Sequence, residues 1–170
     1  MEITLSCKCN ILFENSGLQW GQSCSVAVSS AESRDRIGPL EVVSFMLFNK
    51  TFYDCVGHDG IVSVCSSSET GKGHVVNTWN KYLVITEKEK VLIPCFGFRE
   101  TEKNVNYDPT IELVIGSHEV PGKVGMGTGF LLKGTAEFQR EGALFEQMHS
   151  KCAFANRVLV FTPASCIQTI

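Results

Sequence analysis

From Met46 onward the chain breaks into short apolar runs of strand length, each stopped by turn residues, and this constrains its fold more than any other feature. Gly60-Ile61-Val62-Ser63-Val64-Cys65 reads as a strand, and a Ser/Gly turn from Ser66 to Gly73 follows it. A long run, Val75 to Ile85, reads as one strand. It turns at Thr86-Glu87-Lys88-Glu89 and returns through Lys90-Val91-Leu92-Ile93-Pro94. The proline places an edge or a strand end at the close of that run. Thr110 to Ile115, Phe130 to Phe138 and Arg157 to Thr162 complete six strands, with a glycine-rich connection spanning Gly116 to Gly129. Short helices are expected over Leu47–Val56, ended by Gly57, over Glu100–Asn106 and around Glu141–Lys151. The expectation is a mainly β domain, a small closed or partly closed antiparallel barrel with short helices.

Residues 1–45 differ. They mix Ser, Gly and Cys with weak periodicity, and Ser29 to Arg36 reads as a polar linker. The organisation expected is an N-terminal extension over 1–45, either an arm or a stretch upstream of a start at Met46, and a domain over 46–170.

With 170 residues, 44% of them hydrophobic, the chain can bury a single core without staples. A formal charge of −3, with 15 basic residues spread along the sequence, argues against nucleic acid as a partner. No apolar run approaches the ~20 residues that span a bilayer. The N-terminal residues do not resemble a secretion signal, so a soluble cytoplasmic protein is expected. Of eight cysteines, Cys55, Cys65, Cys95, Cys152 and Cys166 stand singly among apolar residues and read as buried free thiols. Cys7, Cys9 and Cys24 hint at a metal, but a Cys-x-Cys with one distant cysteine and no nearby histidine fits zinc spacings poorly, so no metal is expected.

Inside the long run, Asn77-Thr78-Trp79-Asn80-Lys81-Tyr82 puts amides, a hydroxyl, an indole and a phenol where a structural strand carries Val or Ile. Those groups suit a ligand with an anionic tail and a flat ring. A phosphate asks for hydroxyls, backbone N–H groups and a cation, best at a helix N-terminus. Asn77 and Thr78 offer an amide and a hydroxyl, and Thr101 and Arg99, beside the start of an expected helix, add a hydroxyl and a guanidinium. Trp79, Tyr82 and Phe96 can wall a ring, and the turn at Gly97 can bring backbone close to its polar edge. The plainer readings stand beside this. Trp79 and Tyr82, three apart, face opposite sides of a strand, so one of them can be ordinary packing. Thr101 can serve only as an N-cap, with Asn104 as its third helical residue. Arg99 can be a solvated charge. Gly125-Met126-Gly127-Thr128-Gly129 precedes a strand and lacks a following Lys, so it is not a nucleotide loop. The four histidines show no ligand spacing, and no Ser/His/Asp or Cys/His set can be assembled.

Residues 46–170 closely resemble the small FMN-binding proteins of the pyridoxamine-5′-phosphate-oxidase-like split-barrel superfamily. The resemblance is carried by His74-Val75-Val76-Asn77-Thr78-Trp79-Asn80-Lys81-Tyr82-Leu83, by Thr101-Glu102-Lys103-Asn104-Val105, by Gly127-Thr128-Gly129-Phe130 with Lys133-Gly134, and by Val158 to Thr162. It implies a six-stranded antiparallel Greek-key split barrel, a homodimer, and FMN at or near the subunit interface. It implies phosphate roles for Asn77, Thr78 and Thr101, and places Trp79 and Tyr82 near the isoalloxazine. Phe154 falls where the family often has a tryptophan, and His58 and Asp59 fall on a loop approaching the flavin. Glu100 stands where the family pattern has a phosphate lysine. A carboxylate ~4 Å from a phosphate would cost on the order of 4 kcal/mol per unit charge at an effective dielectric near 20. Glu100 is therefore expected to turn away and Arg99 to supply the cation. Phe96 replaces one glycine of the family's glycine pair. The function implied is a small electron-carrying flavoprotein with an unidentified redox partner. The alternatives are an FMN-dependent oxidoreductase using NAD(P)H or a small substrate, and a non-redox module binding FMN or haem. A pyridoxamine-phosphate oxidase proper is not expected, because the last strand runs close to Ile170.

Overall fold

A computed structural model of the protein describes residues 46–170. The expected extension over 1–45, with its linker and Cys7, Cys9 and Cys24, lies outside the described residues. The elements run α1 (Lys50–Gly57), β1 (Ile61–Ser67), β2 (Gly73–Trp79), a 3₁₀ turn (Asn80–Tyr82), β3 (Val84–Ile85), β4 (Val91–Cys95), α2 (Arg99–Tyr107), β5 (Thr110–Pro121), β6 (Met126–Gln139), α3 (Ala143–Lys151) and β7 (Arg157–Gln168). All seven strands belong to one sheet in the order β2-β1-β5-β6-β7-β4-β3, and every pairing is antiparallel.

That order dictates a curled sheet. β2 and β3 are its two edges, yet only residues 80–83 separate them in the chain. Six inter-strand steps would set the edges of a flat sheet ~29 Å apart. The chain from Trp79 to Val84 can span at most ~18 Å. The sheet therefore rolls until its edges approach, leaving a seam between β2 and β3. The core fills the inside. Val62 and Val64, Ile111, Leu113 and Ile115, Phe130 and Leu132, and Leu159 and Phe161 alternate inward, and Phe48 and Phe52 of the α1 region close over them. Asn49 caps α1 by accepting from Phe52 N at 2.9 Å, while the Glu89 carboxylate accepts from Leu47 N and Phe48 N at 2.9 and 2.8 Å.

Seven strands replace the expected six because the run Val75–Ile85 is not one strand. Asn80 breaks it. Its side chain is buried and its Nδ2 lies 2.9, 3.1 and 3.3 Å from the carbonyl oxygens of Cys55, Gly116 and His58. Three carbonyls gathered on one amide turn the chain away from β1 and start the crossing to β3. Gly60 must be glycine there: a Cβ would stand 1.8 Å from the Gly116 oxygen and 2.5 Å from Asn80 Nδ2. The glycine-rich stretch Gly116–Gly129 is also mostly strand, since β5 and β6 pair through it with a shift between Ser117 and Pro121. The last strand likewise runs on past Thr162 to Gln168. β4 ends as its proline indicates: β3 covers only Val91 and Leu92, and Pro94 pairs with β7 alone.

The outer surface has two characters. β4 and β7 are apolar on both faces, and α3 seals the outer one with Met148 and Cys152 against Leu92, Val158 and Val160. Over β1, β2 and β5 no described element lies on the outward side chains. Ile61, Val75, Trp79 and Val114 are between 43% and 59% exposed there. Among the described residues, no helix is long and apolar enough to cross a membrane.

Candidate functional site

α2 begins without a side-chain cap. Its N-cap residue, Phe98, has left-handed backbone (φ 52°, ψ 24°), and no side chain accepts from the first turn. For a non-glycine residue that conformation costs roughly 1–2 kcal/mol. The first intrahelical bond runs from Glu102 N to Phe98 O at 2.9 Å, so the N–H groups of Arg99, Glu100 and Thr101 precede the helical ladder. Thr101 is fully buried, and its Oγ1 has no hydrogen-bond partner. Thr101 is thus the third helical residue and not the N-cap. Buried hydroxyls are nearly always satisfied, so an orphan beside free helix N–H groups is the donor set an anion takes.

α2 packs on the inner side of β1 and β2, where Asn104 Nδ2 donates to Ser66 Oγ at 3.0 Å. Alternation along β2 puts Thr78, opposite core residue Val62, on that inner side. Asn77 and Trp79 face outward: Asn77 Oδ1 accepts from Ser63 Oγ at 2.8 Å, and Trp79 sits opposite Ile61. Because β2 is an edge strand, a ligand wrapped over that edge can meet Thr78 from one face and Asn77 and Trp79 from the other. Its unpaired backbone groups lie between them.

The remaining aromatics gather on the seam. Tyr82, in the 3₁₀ turn, packs edge-on to Phe154 with centroids 5.6 Å apart, and Lys81 stands 5.6 Å over the Tyr82 ring. Phe154 precedes β7, whose leading residues tie back to the loop before α2: Asn156 N donates to Cys95 O at 3.1 Å, and Arg157 Nη2 donates to Gly97 O. The segment 154–157 therefore touches both 77–82, through Phe154 and Tyr82, and 96–101, through Arg157 and Gly97. Phe96 is 70% exposed in the loop between β4 and α2, with Gly97 beside it. His58 meets the 77–82 segment through its carbonyl, 3.3 Å from Asn80 Nδ2. It closes α1 with Nδ1 2.7 Å from Asp54 O, near an outer groove of about 460 Å³ lined by Asp59, Gly60, Ile61, Val114 and Trp79.

Charge at the head of α2 favours an anion. Glu100 is exposed with Lys103 4.0 Å away, and Glu102 is held by Arg140 at 2.7 Å and by Arg157 at 2.9 Å. Arg99 is exposed and makes no ion pair among the described residues. Four cations stand against two carboxylates. No site role is expected for Arg157, and Asn80 is marked only as part of Asn77–Tyr82; both are buried polar residues. A charge opening the strand Val158–Phe161 was the available signal.

Five cysteines lie among the described residues. Burial pushes Cys55 up to about 11 and Cys95 up to about 12. The described cysteines are free, with Cys55, Cys95 and Cys152 buried and Cys65 and Cys166 half-buried.

No family model matches the chain. The FMN-binding protein of Nitratidesulfovibrio vulgaris (strain Miyazaki F) is 37% identical to it over 120 residues, covering 71% of this chain and 97% of that protein. Among solved structures, HupZ of Group A Streptococcus superposes with a TM-score of 0.61 at 15% identity, covering 72% of this chain and 94% of that one. A candidate pyridoxamine 5′-phosphate oxidase from Lactobacillus delbrueckii gives 0.56 at 12% identity, covering 71% and 93%. At such identities the two structures speak to the fold, which is the split barrel.

Proposed function

This chain belongs to the family of the Nitratidesulfovibrio FMN-binding protein, and we propose from it that the protein binds FMN along the β2 edge and works as a small redox carrier. The observation that carries this reading is the buried, unpartnered Thr101 hydroxyl beside the uncapped start of α2. The phosphate takes that hydroxyl, the N–H groups of the first turn and Thr78, with Asn77 reaching from the outer face. Arg99 adds the cation that Glu100 does not provide. Trp79 flanks the ring on one side, and Tyr82 with Phe154 walls the seam on the other. Phe96 and Gly97 face the ring's polar edge.

FMN, when bound, supplies the redox chemistry, and the protein's part is to hold it, orient it and limit its exposure. Electron transfer asks no side chain to move a proton. We further propose that two copies associate through the outer face of β1, β2 and β5, which covers Trp79 and supplies the walls one barrel lacks. Free buried thiols at Cys55, Cys95 and Cys152 suit a reducing, cytoplasmic setting.

The test is the visible spectrum of the protein purified and then titrated with FMN. Flavin bands retained through gel filtration at one FMN per chain are expected; a protein that emerges colourless after saturation refutes the reading. Stopped-flow reduction by NAD(P)H then separates the carrier from the oxidoreductase, because a carrier shows no turnover with the nucleotide alone.

A further inference from the structure

The left-handed turn at Phe98 has to be held by something, and one side chain grips it from both sides. Arg157 opens β7 and is only 4% exposed. Its Nη2 donates to the carbonyl of Gly97, immediately before the turn. Its Nε stands 2.9 Å from Oε2 of Glu102, four residues beyond Phe98, close as an ion pair although the N–H is not aimed along a hydrogen bond. Its Nη1 donates to Asn156 Oδ1 at 2.7 Å, and the guanidinium lies 5.8 Å over the Phe138 ring. Arg140 takes the other oxygen of Glu102 at 2.7 Å. Only a planar fork reaches acceptors spread in this way; an ammonium would reach one of them. Buried ion pairs return little stability for the desolvation they require, so the network's evident yield is geometry.

Resting on the FMN reading above, we propose that Arg157 is the positioning residue of the phosphate end of the site. It does not touch the ligand. It fixes the angle at which α2 presents the Glu100 and Thr101 N–H groups and the Thr101 hydroxyl. It also neutralises Glu102, whose carboxylate would otherwise repel the phosphate from within the first turn. The consequence is selective: disturbing Arg157 weakens recognition of the phosphate and spares recognition of the ring.

FMN and riboflavin, which share the ring and differ in the phosphate, separate these effects in a fluorescence titration of wild type and Arg157→Lys. The expected result is a roughly tenfold weaker affinity for FMN with riboflavin affinity changed less than twofold. A variant that keeps the wild-type preference for FMN, or loses both flavins equally, overturns the proposal while leaving the FMN reading intact. A wild type that binds the two flavins equally overturns the phosphate reading and this proposal with it. A second measurement needs no variant: adding FMN to ¹⁵N-labelled wild type should shift the Glu100 and Thr101 amides and leave the Arg157 side-chain resonances in place. A through-bond coupling from the FMN phosphorus to Arg157 would make it a direct ligand and overturn the positioning role.

Discussion

Two outer faces of the same sheet carry the same kind of residue and meet different fates. On β4 and β7, Leu92, Val158 and Val160 are sealed beneath α3. On β1, β2 and β5, Ile61, Val75, Trp79 and Val114 lie open. A helix that covers one apolar face is ordinary domain building, and the face left bare is the one on which the proposed association rests. The bare face also carries Trp79, from the strand whose next face turns Thr78 toward α2. The covered face holds the barrel together; the bare one adjoins the ligand edge.

The largest effect expected falls on the covered face. Leu92→Ala deletes a fully buried side chain and should cost about 2–5 kcal/mol in urea unfolding, with the sedimentation boundary of the native protein unchanged. A boundary that shifted toward monomer would mean that this face, too, lies between subunits. On the bare face, Val114→Asp should change the stability of the isolated chain by no more than about 1 kcal/mol. It should instead shift the sedimentation boundary from dimer to monomer. A boundary that stays in place would remove the face from any association. The smallest effect separates thiols. Burial pushes Cys95 up to about 12 and, followed by the Glu112 carboxylate, raises half-buried Cys65 less steeply. At pH 8, Cys65 on the outer row should react with a maleimide well before Cys95, and should slow as protein concentration rises. Equal rates would mean that Cys65 on the bare face is as covered as Cys95 in the inner core.

Much of this fold was legible in the sequence because its apolar runs are short and punctuated by turn residues. Two features were not. The run Val75–Ile85 looks continuous because Val75, Val76 and Trp79 precede Asn80, and Tyr82 to Ile85 follow it with no glycine or proline between. The break comes from three carbonyls of Cys55, His58 and Gly116, and no local pattern announces them. The connection Gly116–Gly129 looks like a loop because glycines are read as turns, yet pairing with neighbouring strands extends it. At the site, Asn77, Thr78, Trp79 and Thr101 stood out as polar or aromatic residues in the wrong kind of run. Arg157 did not, because its role lies in contacts with Gly97 and Glu102, about 60 and 55 residues away in sequence. His58 was drawn in by resemblance, and its ring is bonded to its own helix.

The most direct test of the ligand site is Thr101→Val, a near-isosteric change at a hydroxyl that is buried and unpartnered. Losing a charge-assisted hydrogen bond of about 1.5–3 kcal/mol should weaken FMN binding by roughly tenfold or more, as read by titration calorimetry. Removing an unsatisfied buried group should leave the ligand-free protein as stable as wild type, or more so. A variant that binds FMN with wild-type affinity would contradict the account, because the phosphate would then lie somewhere other than the head of α2.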